Sequence, residues 1–282
     1  MAGTQIDVKG FSDLVMEEIK KDVAMLPFMP SYTCYIVADE NGNFDPASEK
    51  YVGLKHKTST LAGIDCIVKK VTYDEFRHEM VQVTMREEPL RAMLQLPACE
   101  NAIKMFYGRV KAGLIIDVDH LGDDVLHDMW DGKFDRIPGT PRGIMALLFN
   151  ELGSLEGKRC AVVGSRSKTT GQYLIPLLQR ANATVSMYHS RSEICYKEFE
   201  GFDVIISCVG KPGFINNKLL DPHKVQVLVD VGVGFADGKV KGDFHEEVRP
   251  NHLYTPYVNG VGLLTRTMLC ANVVDSYIIG ID

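Results

Sequence analysis

The chain has 282 residues, long enough for two modest domains, and its 45% hydrophobic and 24% charged content is that of an ordinary globular protein. A formal charge of -6 argues against nucleic acid as the main partner, because phosphate binding wants clustered surplus lysine and arginine. Early charges from Asp7 to Lys21 speak against a signal peptide, and no apolar run approaches the length that spans a bilayer. The seven cysteines show no Cys-x-x-Cys pair and no histidine partners at metal spacing. They read as free thiols of a reducing compartment, the cytoplasm, and no metal is expected.

Phe11, Leu14, Val15, Ile19, Val23 and Met25 recur at helical spacing and predict an amphipathic helix from 11 to about 26. Residues 31–39 are rich in β-formers and end at the turn-like Asn41-Gly42-Asn43. Asp45-Pro46 then starts a helix that carries Tyr51, Lys55 and Lys57 and ends near Gly63. A strand is predicted over 64–71, a weak helix over 72–83, and a short strand over 92–97 that Pro97 stops. Near Pro138 the character changes: Pro138-Gly-Thr-Pro-Arg-Gly143 reads as a turn-forming boundary before a helix over 144–152. Apolar strands are then predicted at 159–163, 184–189, 204–209 and 225–231, alternating with helical stretches. That alternation indicates a parallel sheet covered on both faces. A last helix runs from about 263 to 279.

Three groups of residues carry chemistry. Tyr51 and Lys55, four apart, sit on one helix face, where the phenol hydroxyl is expected to hydrogen-bond the ammonium. A lysine that relays protons must be desolvated enough for its pKa to fall towards neutrality. Singly, Tyr51, Lys55 and Gln95 also have ordinary readings, as a packing residue, a solvated helix charge and a polar residue at a strand end. The second group is the loop from Gly164 to Gly171. A strand ending in glycine and followed by a helix lets backbone N–H groups and the helix dipole meet a diphosphate. The Gly-x6-Gly spacing leaves an ordinary strand-to-helix turn as the alternative, but Arg166, Ser167 and Lys168 put donors and positive charge inside it. Beyond Gly171, where an acid would bind an NAD ribose, the chain reads His189-Ser190-Arg191-Ser192. A hydroxyl and a guanidinium there suit a 2′-phosphate, so NADP is favoured, while the nearby Glu193 leaves NAD possible. The third group is Asp117-Val-Asp119. Its carboxylates are expected to point apart and not to form a coupled acid pair, one of them accepting hydrogen bonds from a heterocycle or simply capping a strand end.

Taken in order, these pieces resemble the bifunctional methylenetetrahydrofolate dehydrogenase/methenyltetrahydrofolate cyclohydrolase family over nearly the whole chain. Asp45-Pro-Ala-Ser-x-x-Tyr-Val-x-x-Lys-x-Lys57 is similar to its active-site helix, Gln95-Leu-Pro97 to its glutamine strand motif and Asp117-Val-Asp119 to its acidic motif. Pro138-Gly-Thr-Pro-Arg-Gly143, Val209-Gly-Lys-Pro-Gly-Phe-Ile215, Val229-Asp-Val-Gly232 and Gly238-Lys-Val-x-Gly-Asp243 follow the family pattern. Departures gather in the glycine loop, where Ser165 is either an insertion or a replacement of the first glycine, and in Thr255–Thr265, which lacks two prolines and a glycine of the family.

The resemblance implies an α/β protein of two domains. An N-terminal α/β catalytic domain would span 1–137, with a C-terminal helix, 263–282, returning to it; a Rossmann-like parallel-sheet cofactor domain would span 138–262. Lys55 would be the catalytic lysine, positioned by Tyr51 and tuned by Gln95. Asp119, Ser48, Pro256 and Gly260 would bind the tetrahydrofolate substrate. Thr140, Gly164, Ser165, Arg166, Ser167, Gly171, Ser190, Arg191, Val209, Gly210, Val233 and Thr265 would bind NADP. The expected activity is NADP-dependent oxidation of 5,10-methylenetetrahydrofolate followed by hydrolysis to 10-formyltetrahydrofolate, in a homodimer without nucleic-acid or membrane partners. The rivals are a monofunctional cyclohydrolase, an NAD-preferring dehydrogenase of the same family, and a folate-binding protein without turnover.

Overall fold

The computed structural model describes residues 3–220, 224, 226–236 and 238–278. Its elements begin with β1 (Thr4–Gln5), α1 (Val8–Met25), β2 (Ser31–Val37), α2 (Pro46–Ala62) and β3 (Asp65–Val71). Next come α3 (Tyr73–Val83), β4 (Leu90–Leu94), α4 (Glu100–Lys111), β5 (Ile115–Asp117), α5 (Asp123–Trp130) and α6 (Gly139–Leu152). There follow β6 (Arg159–Val163), α7 (Gly171–Arg180), β7 (Thr184–Tyr188), β8 (Val204–Ser207) and β9 (Val227–Asp230). The chain closes with β10 (Val233–Ala236), β11 (Lys239–Gly242), a 3-10 turn at Glu246–Asn251, β12 (Leu253–Tyr254) and α8 (Val261–Ile278).

Two compact units result, Leu14–His127 with Arg266–Asp282, and Met1–Asp13 with Asp128–Thr265. In the first, β3-β2-β4-β5 form a four-stranded parallel sheet. Alternate residues of β2 serve two cores. Tyr32, Cys34 and Ile36 pack with Val52 and Ala62 of α2 and Leu269 and Val273 of α8. Tyr35 and Val37 pack with Phe76 and Met80 of α3 and Phe106 of α4. A strand buried on both faces must be apolar throughout, which is why β2 reads as a continuous run of β-formers. Because the strands are parallel, β4 and β5 deliver Gln95 and Asp119 just beyond neighbouring carboxyl ends, the end at which open α/β sheets build their sites.

The other unit carries a six-stranded parallel sheet in the order β1-β12-β9-β8-β6-β7, with β10 and β11 as a separate antiparallel hairpin. Cys160, Ala161, Val162, Val204, Ile205, Ile206, Leu228 and Val229 are all buried, so the Rossmann-like α/β reading holds.

The structure differs from the sequence reading in four places. Residues 3–13 do not join the first unit, because Thr4 and Gln5 pair in parallel with Leu253 and Tyr254 at the edge of the six-stranded sheet. Residues 128–137 pack with the second unit as well. Residues 139–143 are not a turn but the first turn of α6; Pro141 costs nothing there, since first-turn N–H groups have no intrahelical acceptor. Gln95 and Asp119 sit just outside their strands rather than within them. The predicted ends at Val225 and Ile279 lie outside the described residues.

Candidate active site

Helix α2 is fixed at its start by Asp45, whose carboxylate accepts from the Ser48 N–H at 2.8 Å and its hydroxyl at 2.7 Å, with Pro46 in the first turn. The Ser48 hydroxyl also lies 3.4 Å from the Leu96 carbonyl, tying the helix start to the segment that presents Gln95. Two turns on, Lys55 is only 3% exposed. Its Nζ donates to Gln95 Oε1 at 3.2 Å and to Asp119 Oδ2 at 3.3 Å, and lies 3.6 Å from Met93 Sδ. Gln95 is oriented for this by its own amide, which donates to the Leu96 carbonyl at 2.7 Å and so turns Oε1 towards the lysine.

The ammonium lies over the ring of Tyr51, 5.1 Å from the centroid. That contact has cation–π geometry. Lys55 departs from the expected fall in pKa. Burial pushes it down, but the Asp119 carboxylate more than offsets this, so Lys55 holds its proton above the ordinary 10.5. Burial pushes the thiol of Cys34 up to about 12, so it is neutral.

Asp119 lies beyond β5, because the chain turns immediately after Asp117, the last residue of that strand. Asp117 accepts from the backbone N–H groups of Asp119 at 3.1 Å and Leu121 at 2.9 Å, while His120 takes a left-handed φ of 55°. Burial first, and the Asp119 charge second, raise Asp117 to about 7. The two acids are thus coupled: Asp117 shapes the turn and Asp119 faces Lys55. Asn272 of α8 donates to the Val118 carbonyl at 3.2 Å and braces the same turn. Met93 and Asn272 carried no signal in the sequence beyond their residue types, and Asp117 was marked only as half of an acidic pair, since these roles depend on strand ends far apart in the chain.

In the other unit, Gly164 follows β6 with φ 86°, and a Cβ there would lie 2.7 Å from the Cys208 carbonyl oxygen. A Cβ on Gly171, at the start of α7, would run into the Gly164 carbonyl. Glycine is therefore demanded at 164 and at 171, and not at 165; Ser165 is a buried residue between them, its N–H donating to the Tyr188 carbonyl. Among the described residues the N–H groups of Lys168, Thr169 and Thr170 have no protein acceptor, leaving a run of donors ahead of the helix. Arg166 reaches 3.3 Å from Nε2 of His189, and the Arg191 N–H donates to its Nδ1 at 3.2 Å. The glycine loop, with Ser167, and the exposed Ser190 and Arg191 thus lie beside one another.

Asp243 accepts from the Ser207 hydroxyl at 2.7 Å and the N–H groups of Val209 and Lys211 at 2.8 and 2.7 Å, which fixes the loop bearing Val209 and Gly210. Asp230, raised to about 7 chiefly by burial, accepts in turn from the Asp243 N–H at 2.9 Å. Val233 and Gly234 lie against Gly210, whose carbonyl would be 3.0 Å from a Cβ on Gly234. The Thr140 and Thr265 hydroxyls meet at 2.9 Å. Pro256 and Gly260 form a turn so tight that a Cβ on Gly260 would collide with the Pro256 carbonyl. No cluster of metal-binding side chains occurs among the described residues, nor any helix long and apolar enough to cross a membrane.

One unit holds a buried, carboxylate-paired lysine, and the other a glycine loop suited to a dinucleotide. Residues 138–279 match the family model described as tetrahydrofolate dehydrogenase/cyclohydrolase, NAD(P)-binding domain. The bifunctional protein FolD of Clostridium acetobutylicum is 31% identical over 290 residues, covering 94% of this chain and 95% of its own. The crystal structure of the bifunctional enzyme FolD from Campylobacter jejuni superposes with a TM-score of 0.84 at 26% identity, covering 99% of each chain. The same fold, at lower identity, is seen in the methylenetetrahydrofolate dehydrogenase-cyclohydrolase of Trypanosoma brucei complexed with NADP cofactor and inhibitor. There the TM-score is 0.84 at 21% identity, covering 100% of this chain and 99% of the other. The NAD-dependent 5,10-methylenetetrahydrofolate dehydrogenase of Saccharomyces cerevisiae gives 0.73 at 19%, covering 98% and 97%. The chain therefore belongs to the FolD family of methylenetetrahydrofolate dehydrogenase/cyclohydrolase enzymes.

Proposed function

We propose that this enzyme oxidises 5,10-methylenetetrahydrofolate with NADP and hydrolyses the methenyl product to 10-formyltetrahydrofolate, with Lys55 carrying the second reaction. The observation behind this reading is the buried ammonium of Lys55, held between Gln95 and Asp119 over Tyr51. Oxidation removes a hydride from the bridge carbon and leaves a cation delocalised over the two folate nitrogens, a step that needs positioning more than a base. The nicotinamide, when bound, accepts that hydride. The residues fit such a dinucleotide: Gly164 and Gly171 let the loop close tightly on Cys208 and on itself, and Lys168–Thr170 offer N–H groups with no protein acceptor among the described residues. The Arg166 guanidinium reaches His189, and the backbone N–H of the exposed Arg191 bonds the same imidazole, a pair of arginines in one loop region that suits the 2′-phosphate of NADP. Both nicotinamide dinucleotides occur on this fold, since the trypanosomal structure holds NADP and the yeast enzyme is NAD-dependent.

Hydrolysis needs proton traffic. Water attacks the bridge carbon and gives up one proton, and the remaining hydroxyl proton passes to a ring nitrogen as the bond from that nitrogen to the carbon breaks and the formyl C=O forms. Lys55 alone enters the site as an ammonium because of Asp119. A folate whose ring N–H groups engage Asp119 draws that negative charge away, and burial then dominates and loosens the lysine proton. Lys55 becomes able to exchange protons at the moment the substrate is seated, with Gln95 Oε1 keeping its Nζ aimed. Lys55→Met should slow the loss of added methenyltetrahydrofolate by roughly a hundredfold or more, the usual worth of a positioned acid–base group. Unchanged hydrolysis in the folded variant would remove Lys55 from the mechanism. A cytoplasmic homodimer belongs to the same proposal and rests on family membership and the free thiols. Light scattering at twice the 31.4 kDa chain mass would support the dimer, and a monomer would contradict it.

A further inference from the structure

Arg266 lies on α8, in the unit that holds Lys55. Its side chain is half-buried, and burial pulls the guanidinium below its ordinary 12.5, though not far enough to discharge it. Its Nε donates to Thr58 Oγ1 at 3.3 Å. Among the described residues no carboxylate pairs with it, and its terminal nitrogens have no protein acceptor. The groups that favour its charge are Tyr51 and Cys270, neither of them a carboxylate. A cation partly withdrawn from water without a counter-ion is costly to keep, and its planar fork matches a carboxylate.

Its position connects it to the reaction. Tyr51, Lys55 and Thr58 follow at i, i+4 and i+7 and so share one face of α2. Lys55 lies over the Tyr51 ring, and Arg266 bonds Thr58 and interacts electrostatically with Tyr51. Two cations are thus strung along one helix face, Thr58 standing about one turn, roughly 5 Å, beyond Lys55. The first is answered by Asp119; the second is answered by no carboxylate among the described residues. A folate has matching ends, with the reacting bridge near its pterin and its glutamate carboxylates beyond a rigid aminobenzoyl group.

Resting on the folate reading above, we infer that Arg266 is a specificity-determining residue that binds a glutamate carboxylate of the substrate while Lys55 serves the bridge carbon. The test compares 5,10-methenyltetrahydrofolate with 5,10-methenyltetrahydropteroate, which lacks the glutamate, in wild type, R266M and R266K. R266M should raise KM for the glutamate-bearing substrate about ten- to a hundredfold, keep kcat within about threefold, and leave KM for the truncated substrate unchanged. R266K, which keeps the charge but loses the fork, should recover part of the loss. Equal rises for both substrates, or a loss confined to kcat, would overturn the assignment. So would wild-type protein that shows no preference between the two substrates, an outcome that needs no variant. Wild type that turns over neither would instead overturn the proposed function, and this assignment with it.

Discussion

Replacing Asp119 by asparagine should convert Lys55 from a stabilised to a destabilised ammonium, and the pH dependence of folding should change sign with it. The two charges are 3.3 Å apart, an attraction of about 5 kcal/mol at an effective dielectric of about 20. The Asp119 side chain is 13% exposed, so water screens part of this; the cost of removing one partner of a buried pair, roughly 3–5 kcal/mol, is expected at its lower end, about 3 kcal/mol. In wild type the folded pKa of Lys55 is raised. Its stabilisation is therefore fully present below the unfolded value near 10.5 and is lost only as pH rises through the folded value above that. In D119N the main cause of the rise is gone and burial, which lowers the pKa, prevails. The folded variant then binds fewer protons than the unfolded chain at neutral and alkaline pH, so its stability should climb as pH rises towards about 10. Adding K55M removes the stranded charge, so the double variant should be more stable at neutral pH than D119N alone. Urea unfolding of wild type, K55M, D119N and the double variant gives the coupling energy directly. Coupling below about 0.5 kcal/mol, or a D119N profile parallel to wild type, would refute the reasoning.

Arg191→Ala should raise KM for NADP roughly ten- to a hundredfold and leave NAD little changed, because only NADP carries the group that a guanidinium at this place would meet. An equal effect on both cofactors would discard the 2′-phosphate assignment. Gly171→Ala drives a methyl group into the Gly164 carbonyl, a backbone atom that cannot swing aside. Overpacking of this kind costs about 1–3 kcal/mol, or several degrees in Tm for a chain of this size, and NADP should protect the variant less than wild type against heat. An unshifted Tm with unchanged protection would show that the loop yields freely.

The Tyr51 and Lys55 pairing was legible because helical periodicity alone places residues four apart on one face, and the capped start of α2 fixes which face. What Lys55 meets was not. Asp119 is 64 residues away and reaches it only because β2, β4 and β5 are parallel neighbours and the chain turns right after Asp117. The sign of the lysine pKa shift was likewise hidden, since it depends on burial and counter-charge together. The Rossmann-like strands were readable as apolar runs, whereas the two-residue β1 and β12 are too short to carry a pattern and were found only through their pairing. The glycine loop was readable as a loop, but only the left-handed φ of Gly164, its approach to Cys208 and the approach of Gly171 to Gly164 decide which residues must be glycine. Arg266 escaped notice because a helical arginine is ordinarily solvated, and sequence does not reveal a missing counter-ion.

The measurement that bears most directly on the proposed activity follows absorbance as the purified protein meets 5,10-methylenetetrahydrofolate and NADP, beside the K55M variant. The account predicts reduced nicotinamide without build-up of the methenyl chromophore in wild type, and the same reduction with methenyl accumulating in K55M. No reduced nicotinamide from wild type, or chromophore traces that match in the two proteins, would contradict it.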